Sequence, residues 1–333
     1  MRFISRILDK KDPVHIMPFG GYANDTQMIC RARVLEDEGI AYTEDDGKLR
    51  NIWNSFKRFE SDEWSDVLVR ATLKEKRIEL ISDREGYVEI DDSHDFEERP
   101  ESMQWLPVEF SLSLAGQDPF NILTRVMQPG KNARFGIISD VDDTVIHTGV
   151  SSRFKWRLMV NSVAAHSYER KALNGAAGFY SALHKGPTAK EQNPVFYVSN
   201  SPWNLHEYLS TFLQHHSFPE GTLLLRDFGL KTMKKAHPFL EGAKYKHVVQ
   251  ILKMYPHLPF ILLGDAAELD ADIYLHIAKE FPEQIQAIYI RAVDHVKRTD
   301  RVKELILAHK NRPIYLVGDM QEAQEHARTI ELI

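Results

Sequence analysis

The sequence predicts a chain of two domains: a β-sandwich-like domain over residues 1–128, then an α/β domain, a parallel sheet covered by helices, over residues 129–333. Three observations carry that reading. The chain has 333 residues, about two domains' worth at roughly 100–200 residues each. Before residue 128, short runs alternate apolar and polar residues, the period of half-buried antiparallel strands. After it, the runs are continuously apolar and separated by helical patterns, as befits strands buried on both faces of a parallel sheet.

In the first domain the strands are QMICRARVL (27–35), SDVLVRATL (65–73), KRIELIS (76–82), GYVEI (86–90), LPVEFSLSL (106–114) and NILTRVM (121–127). Val67, Val69, Ala71 and Leu73 fall on one face of the second of these, and Arg70 and Thr72 on the other. Gly, Asp, Asn and Pro fill the connections, as short all-β loops require. One helix, at 49–59, interrupts the series, and the QPGKN turn (128–132) ends it.

In the second domain the strands are RFGIIS (134–139), VFYV (195–198), TLLL (222–225), PFILL (259–263), QAIYI (286–290) and PIYLV (313–317). Ser201 and Pro202 read as an N-cap and first-turn proline, followed by Leu205, Tyr208, Leu209, Phe212 and Leu213 on one helix face. Tyr245, Val248, Val249 and Leu252 repeat the pattern, as do Ile273, Ile277 and Phe281.

Composition narrows the function. Apolar residues make up 43% and charged residues 27%, so disordered and collagen-like classes do not fit. The single cysteine, Cys30, excludes an internal disulfide and a Cys-based zinc cage. A formal net charge of −6 provides no cationic field for nucleic acid. No run approaches the roughly 18 apolar residues of a membrane span, and MRFISRILDKKDP lacks the apolar core of a secretory signal. The expectation is a cytoplasmic, non-spanning protein.

Ligands of open α/β sheets gather beyond the carboxyl ends of the strands. There the first strand is followed by Asp140-Val141-Asp142-Asp143-Thr144. Carboxylates this close raise one another's pKa unless a cation or protons compensate, and a hard divalent cation such as Mg²⁺ is the simplest compensation. The alternative is a solvated or helix-capping acidic turn. Ser199-Asn200-Ser201 follows the second strand as a phosphate seat at a helix N-terminus. Gly264-Asp265 and then Asp270 follow the fourth, and Lys244 begins the intervening helix. Paired acids, a hydroxyl, a lysine and further acids form a phosphoryl-transfer kit.

The order DxDxT, Ser, Lys, GDxxxxD resembles that of the haloacid dehalogenase superfamily, whose parallel sheet is Rossmann-like. ISDVDDTVIHTGV, VFYVSNSPWNL, LLLRDFGL and PFILLGD with DADIY resemble its actin-patch type of phosphatidate phosphatase over about residues 130–295. The β-rich region, with GYANDTQMICRARVL, resembles the accessory region that commonly precedes this domain in bacterial members. The resemblance implies that Asp140 is a nucleophile forming an aspartyl-phosphate and that Asp142 is the acid and base, oriented by Thr144. It implies that Ser199 and Lys244, beside Asn200, hold the transferring oxygens. Asp140, Asp142 through its carbonyl, and Asp265 would hold Mg²⁺, with Asp270 as a further ligand. Lys246 competes with Lys244 for its role. One departure stands out: the family usually has Gly-Asp-Ser-Gly-Gln where this chain has Gly264-Asp265-Ala266-Ala267-Glu268. A hydroxyl near the metal is lost there and an acid gained.

Other features admit two readings each. Arg153, Phe154, Lys155, Trp156 and Arg157 interleave basic and aromatic residues, as a stretch at an anionic membrane interface does or as a helix covering the domain does. Lys231, Lys234, Lys235 and His237 read as a solvated face or as a substrate attractor, His147 and His206 as pocket-lining or not, and Trp203 as packing. The expected function is Mg²⁺-dependent hydrolysis of phosphatidate, or a related lipid phosphate, at a membrane surface contacted peripherally, with no nucleic-acid partner. The alternatives are a phosphatase of a soluble phosphomonoester and a weakly active pseudo-phosphatase binding module.

Overall fold

The computed structural model describes residues 14–36, 63–93, 99–114, 119–141, 173–226 and 242–333. The helix expected at 49–59, the interleaved stretch 153–157, the basic run 231–237, and Asp142, Asp143, Thr144 and His147 lie outside these residues. Two compact units are present. One is built on an antiparallel sheet; the other, built on a parallel sheet, includes Ala23–Gln27 and residues 99–104.

The first unit holds β1 (Val14–Ala23), β2 (Gln27–Glu36), β3 (Leu68–Leu73), β4 (Lys76–Ile81), β5 (Tyr87–Ser93), β6 (Gln104–Leu112) and β7 (Phe120–Gln128). The strands form one hydrogen-bonded sheet in the order β4-β3-β6-β7-β1-β2-β5. The outermost strands, β4 and β5, are consecutive in the chain. Lys76 on β4 reaches Asp92 on β5 at 2.8 Å, so the sheet is rolled until its two edges meet. The expected sandwich is therefore a single curled sheet. Val67, Val69, Ala71 and Leu73 are all buried, as their alternation predicts, while Arg70 is exposed opposite Glu79. Strand β1 has no counterpart among the expected strands. Its VHIMPFGGYA sequence is broken by Pro18 and by Gly20, which adopts φ +73°, a region that glycine alone enters without cost.

The second unit holds β8 (Gly136–Asp140), α1 (Ala176–Lys185), β9 (Val195–Pro202), α2 (His206–His215), β10 (Thr222–Arg226) and α3 (Ala243–Met254). It continues with β11 (Phe260–Asp265), α4 (Asp270–Glu280), β12 (Ile285–Arg291), α5 (Val296–Ala308), β13 (Ile314–Val317) and α6 (Met320–Thr329). All five neighbouring pairs are parallel, in the order β10-β9-β8-β11-β12-β13. Counted from β8, that order is 3-2-1-4-5-6, whose direction reverses at the first strand and opens a crevice at the carboxyl ends. The continuous apolar runs are fully enclosed: every residue of β8 and of β11 is buried. Successive residues of β9 face opposite helix layers. Tyr197 stacks on Tyr180 of α1 at 6.4 Å, whereas Phe196 packs on Tyr255, just past α3, at 5.7 Å.

One local expectation fails. Ser201 does not cap a helix, because β9 continues through Pro202 and a single 3-10 turn, Trp203–Leu205, intervenes before α2. The apolar face still forms, with Tyr208, Leu209, Phe212 and Leu213 buried. Trp203 is buried and stacks on His206, as its packing role predicts.

Candidate active site

Three strands deliver polar side chains to one end of the parallel sheet. Asp140 is the last residue of β8 and pairs in register with Val198 of β9, so Ser199 lies one step beyond it on the adjacent strand. Asp265 ends β11 on the other side of β8. Asp140, Ser199 and Asp265 are all fully buried. The end of β8 is anchored from behind: Ser139 Oγ donates to the Asp140 carbonyl at 2.7 Å. Its single proton thus engaged, Ser139 Oγ accepts from the Tyr180 hydroxyl at 2.6 Å.

Two helices complete the cluster. Asp270 is the first residue of α4, and its Oδ2 accepts from the Asp265 N–H at 3.1 Å. Gly264 permits this approach, since a Cβ there would lie 2.7 Å from Asp270 Oδ2. The loop between Asp265 and Asp270 folds back on the strand end, with Asp265 Oδ1 accepting from the N–H groups of Ala267 and Glu268 at 2.8 and 3.2 Å. Lys244 lies in the first turn of α3, on the same face as buried Val248, Ile251 and Leu252. That placement pushes a lysine into the interior, where its ammonium reaches three carboxylates: Asp140 Oδ1 at 2.8 Å, Glu268 Oε2 at 3.1 Å and Asp270 Oδ1 at 2.5 Å. Lys246, its rival in the sequence, is exposed.

The electrostatics follow from burial and these contacts. Desolvation works to lower the Lys244 pKa, but Asp140, Asp270 and Glu268 outweigh it and hold the ammonium well above its ordinary value. Burial raises the Asp270 carboxyl above the usual range against the pull of Lys244. Arg291, at the end of β12, places a guanidinium nitrogen 3.8 Å from Asp265 Oδ2. Among the described residues, four carboxylates (Asp140, Asp265, Glu268 and Asp270) thus gather around Lys244 and Arg291. They form an all-oxygen, mostly buried donor set of the kind a hard divalent cation takes. Ligand atoms of Asp140, Glu268 and Asp270 all lie within 4.8 Å of one another.

The structure therefore brings together Asp140, Ser199, Asn200, Lys244, Asp265 and Asp270. Asp142 and Thr144 fall outside the described residues. Ser199 holds the strand end as well, its Oγ accepting from the Ser201 N–H at 2.8 Å. His206 sits against Trp203. Two members had no assigned role in the sequence. Glu268 reaches both Lys244 and Asn200, and Arg291 lies beside Asp265. The carboxyl-end rule could have found Arg291, which ends its strand; nothing in the spacing of Glu268 says which way it turns.

Residues 135–292 match the family model of the phosphatidate phosphatase APP1 catalytic domain. The chain is 35% identical over 156 residues to phosphatidate phosphatase APP1 of Saccharomyces cerevisiae, a match covering 47% of this chain and 25% of that protein. It is 28% identical over 158 residues to an uncharacterized protein of Schizosaccharomyces pombe, with coverage of 47% and 25%. The matched stretch spans a quarter of the length of each relative. The resemblance to the actin-patch type of phosphatidate phosphatase catalytic domain thus holds over the part of the chain that builds the site. Among solved structures, a carbohydrate acetylesterase from Xanthomonas citri matches at 10% identity, covering 88% of this chain and 72% of its own, with a TM-score of 0.27. That likeness bears on neither fold nor chemistry.

Proposed function

We propose that this chain is a divalent-metal-dependent phosphatase of the haloacid dehalogenase type, hydrolysing phosphatidate or a related lipid phosphate to diacylglycerol and inorganic phosphate. The observation that carries the reading is Asp140, a buried strand-end carboxylate held at 2.8 Å by the Lys244 ammonium, with Ser199 on the adjacent strand. The family match over residues 135–292 supports the substrate class. No helix among the described residues is long and apolar enough to cross a membrane, and a lipid phosphate would be met at the bilayer surface.

In this reading Asp140, paired with the Lys244 ammonium, attacks phosphorus through a carboxylate oxygen. The bond from phosphorus to the glycerol oxygen breaks, and Asp142 gives its proton to the departing alkoxide. Asp142 then takes a proton from water, whose oxygen attacks the aspartyl-phosphate, releasing phosphate and restoring Asp140. Thr144 orients Asp142, while Ser199, Asn200 and Lys244 bind the phosphoryl oxygens where charge accumulates. Asp140, Asp265, Asp270 and the Asp142 carbonyl would hold Mg²⁺, which supplies charge neutralisation on the phosphoryl group when bound.

The test is phosphate release from phosphatidate in mixed micelles and from a soluble aryl phosphate, with and without Mg²⁺, for wild type and Asp140→Asn. Mg²⁺-dependent release from the lipid that disappears in the variant is the expected result. Release from the soluble ester alone would remove the lipid substrate, and undiminished release by Asp140→Asn would remove the nucleophile.

A further inference from the structure

Glu268 differs from the other three carboxylates of the site in ways that bear on how phosphate enters. Asp140, Asp265 and Asp270 are fully buried, and Asp265 and Asp270 are pinned by backbone N–H groups. The Glu268 side chain is 35% exposed and stands on the loop between β11 and α4. A single oxygen of its carboxylate, Oε2, accepts from both Lys244 Nζ at 3.1 Å and Asn200 Nδ2 at 3.4 Å. Those are two of the three side chains that would hold the transferring phosphoryl group, so an anionic oxygen already lies where a phosphoryl oxygen would bind.

We propose that Glu268 is a displaceable carboxylate that occupies a phosphoryl-oxygen seat between Asn200 and Lys244 and thereby sets the affinity of the site for phosphate. The inference rests on the phosphatase reading above. The physical reason is competition for donors. An incoming phosphate offers the same kind of acceptor to the same two donors. It also brings negative charge directly beside the Glu268 carboxylate, and like charges this close favour expulsion of whichever group can leave. Glu268 is the one with a partly exposed side chain and with no backbone N–H holding its oxygens among the described residues. Swinging out, it would free Asn200 Nδ2 and one Lys244 hydrogen bond for substrate. The consequence is a site that binds phosphate, substrate and product alike, more weakly than its donors alone would allow, and that releases product readily.

The experiment is calorimetric titration of the full chain with inorganic phosphate in the presence of Mg²⁺, for wild type, Glu268→Gln and Glu268→Ala. A parallel titration with Mg²⁺ alone and a thermal-unfolding profile accompany each protein. The glutamine variant keeps the size of the side chain and removes its charge; the alanine variant empties the seat. Both should bind phosphate more tightly by about tenfold or more, a gain of roughly 1.4 kcal/mol per tenfold, while folding normally. Unchanged or weaker phosphate binding in both variants, with wild type still binding phosphate, would overturn the proposal and leave the phosphatase reading intact. Weaker binding of both phosphate and Mg²⁺ would overturn it by making Glu268 a metal-supporting acid. Absence of phosphate binding in all three folded proteins would remove the seat itself, and the phosphatase reading with it.

Discussion

The Lys244 ammonium lies 2.5 Å from Asp270 Oδ1, and both side chains are shut off from solvent. A lysine on the buried face of α3 is tolerated because Asp270 and Asp140 meet it there. The arrangement is a buried ion cluster, whose members are costly to remove singly and much less costly to remove together.

Lys244→Met should therefore destabilise the protein by about 3–5 kcal/mol, since it leaves Asp140 and Asp270 buried without their cation. The double variant Lys244→Met/Asp270→Leu should lose clearly less than the sum of the two single variants. Urea unfolding of the four proteins measures the coupling. Strict additivity would mean that the 2.5 Å contact carries no shared energy.

Ser199→Ala deletes the acceptor of the Ser201 N–H together with the hydroxyl proposed to bind the phosphoryl group. A stability loss of about 1 kcal/mol is expected from the hydrogen bond. Phosphate release should fall by about 10²-fold, the usual cost of one preorganised donor, with Ser199→Thr recovering part of it. A variant with wild-type turnover would confine Ser199 to holding the strand end.

Divalent metal should stabilise the wild type through binding linkage, by about 2.7 kcal/mol at a hundredfold excess over the dissociation constant. Thermal unfolding with MgCl₂ against EDTA reads this directly. Asp265→Asn removes one of the proposed ligands and should shrink the shift. An equal shift in the variant would take Asp265 out of the metal site.

Glu191, in the loop leading into β9, gives a pH-dependent prediction away from the site. Burial tends to raise its pKa, but the Thr188 hydroxyl, at 2.8 Å, and the N–H groups of Lys190 and Thr188 outweigh it and hold the carboxyl below its ordinary value. A depressed folded-state pKa contributes stability above the unfolded value, about 4.3 for Glu, and that contribution is lost as pH falls through the folded value. Glu191→Gln should cost about 1 kcal/mol at pH 7, a gap that closes in acid. Urea midpoints at pH 7, 5 and 3.5 would show it; a constant gap would deny the linkage.

Much of this protein is legible in local pattern. Period-2 alternation located six strands of the antiparallel sheet, and continuous apolar runs located all six of the parallel sheet, because burial on one face or two leaves its period in the sequence. The motifs that end those strands named Asp140, Ser199 and Asp265. Strand β1 escaped, since Pro18, Gly20 and Gly21 erase its alternation. Ser201 and Pro202 imitated a helix start, although hydrogen bonding to β10 carries the strand through Pro202.

By itself the sequence determined where the strands lie and which polar residues stand at their carboxyl ends, because periodicity and motif order are properties of neighbours along the chain. Only the tertiary structure decided that the parallel strands lie in the order β10-β9-β8-β11-β12-β13 and that Lys244, not Lys246, turns inward to meet Asp140 and Asp270. Only it set one oxygen of Glu268 between Lys244 and Asn200. These contacts join residues 24 to 104 positions apart in the chain. Their energies depend on burial and distance, which exist only once the sheet has closed around them.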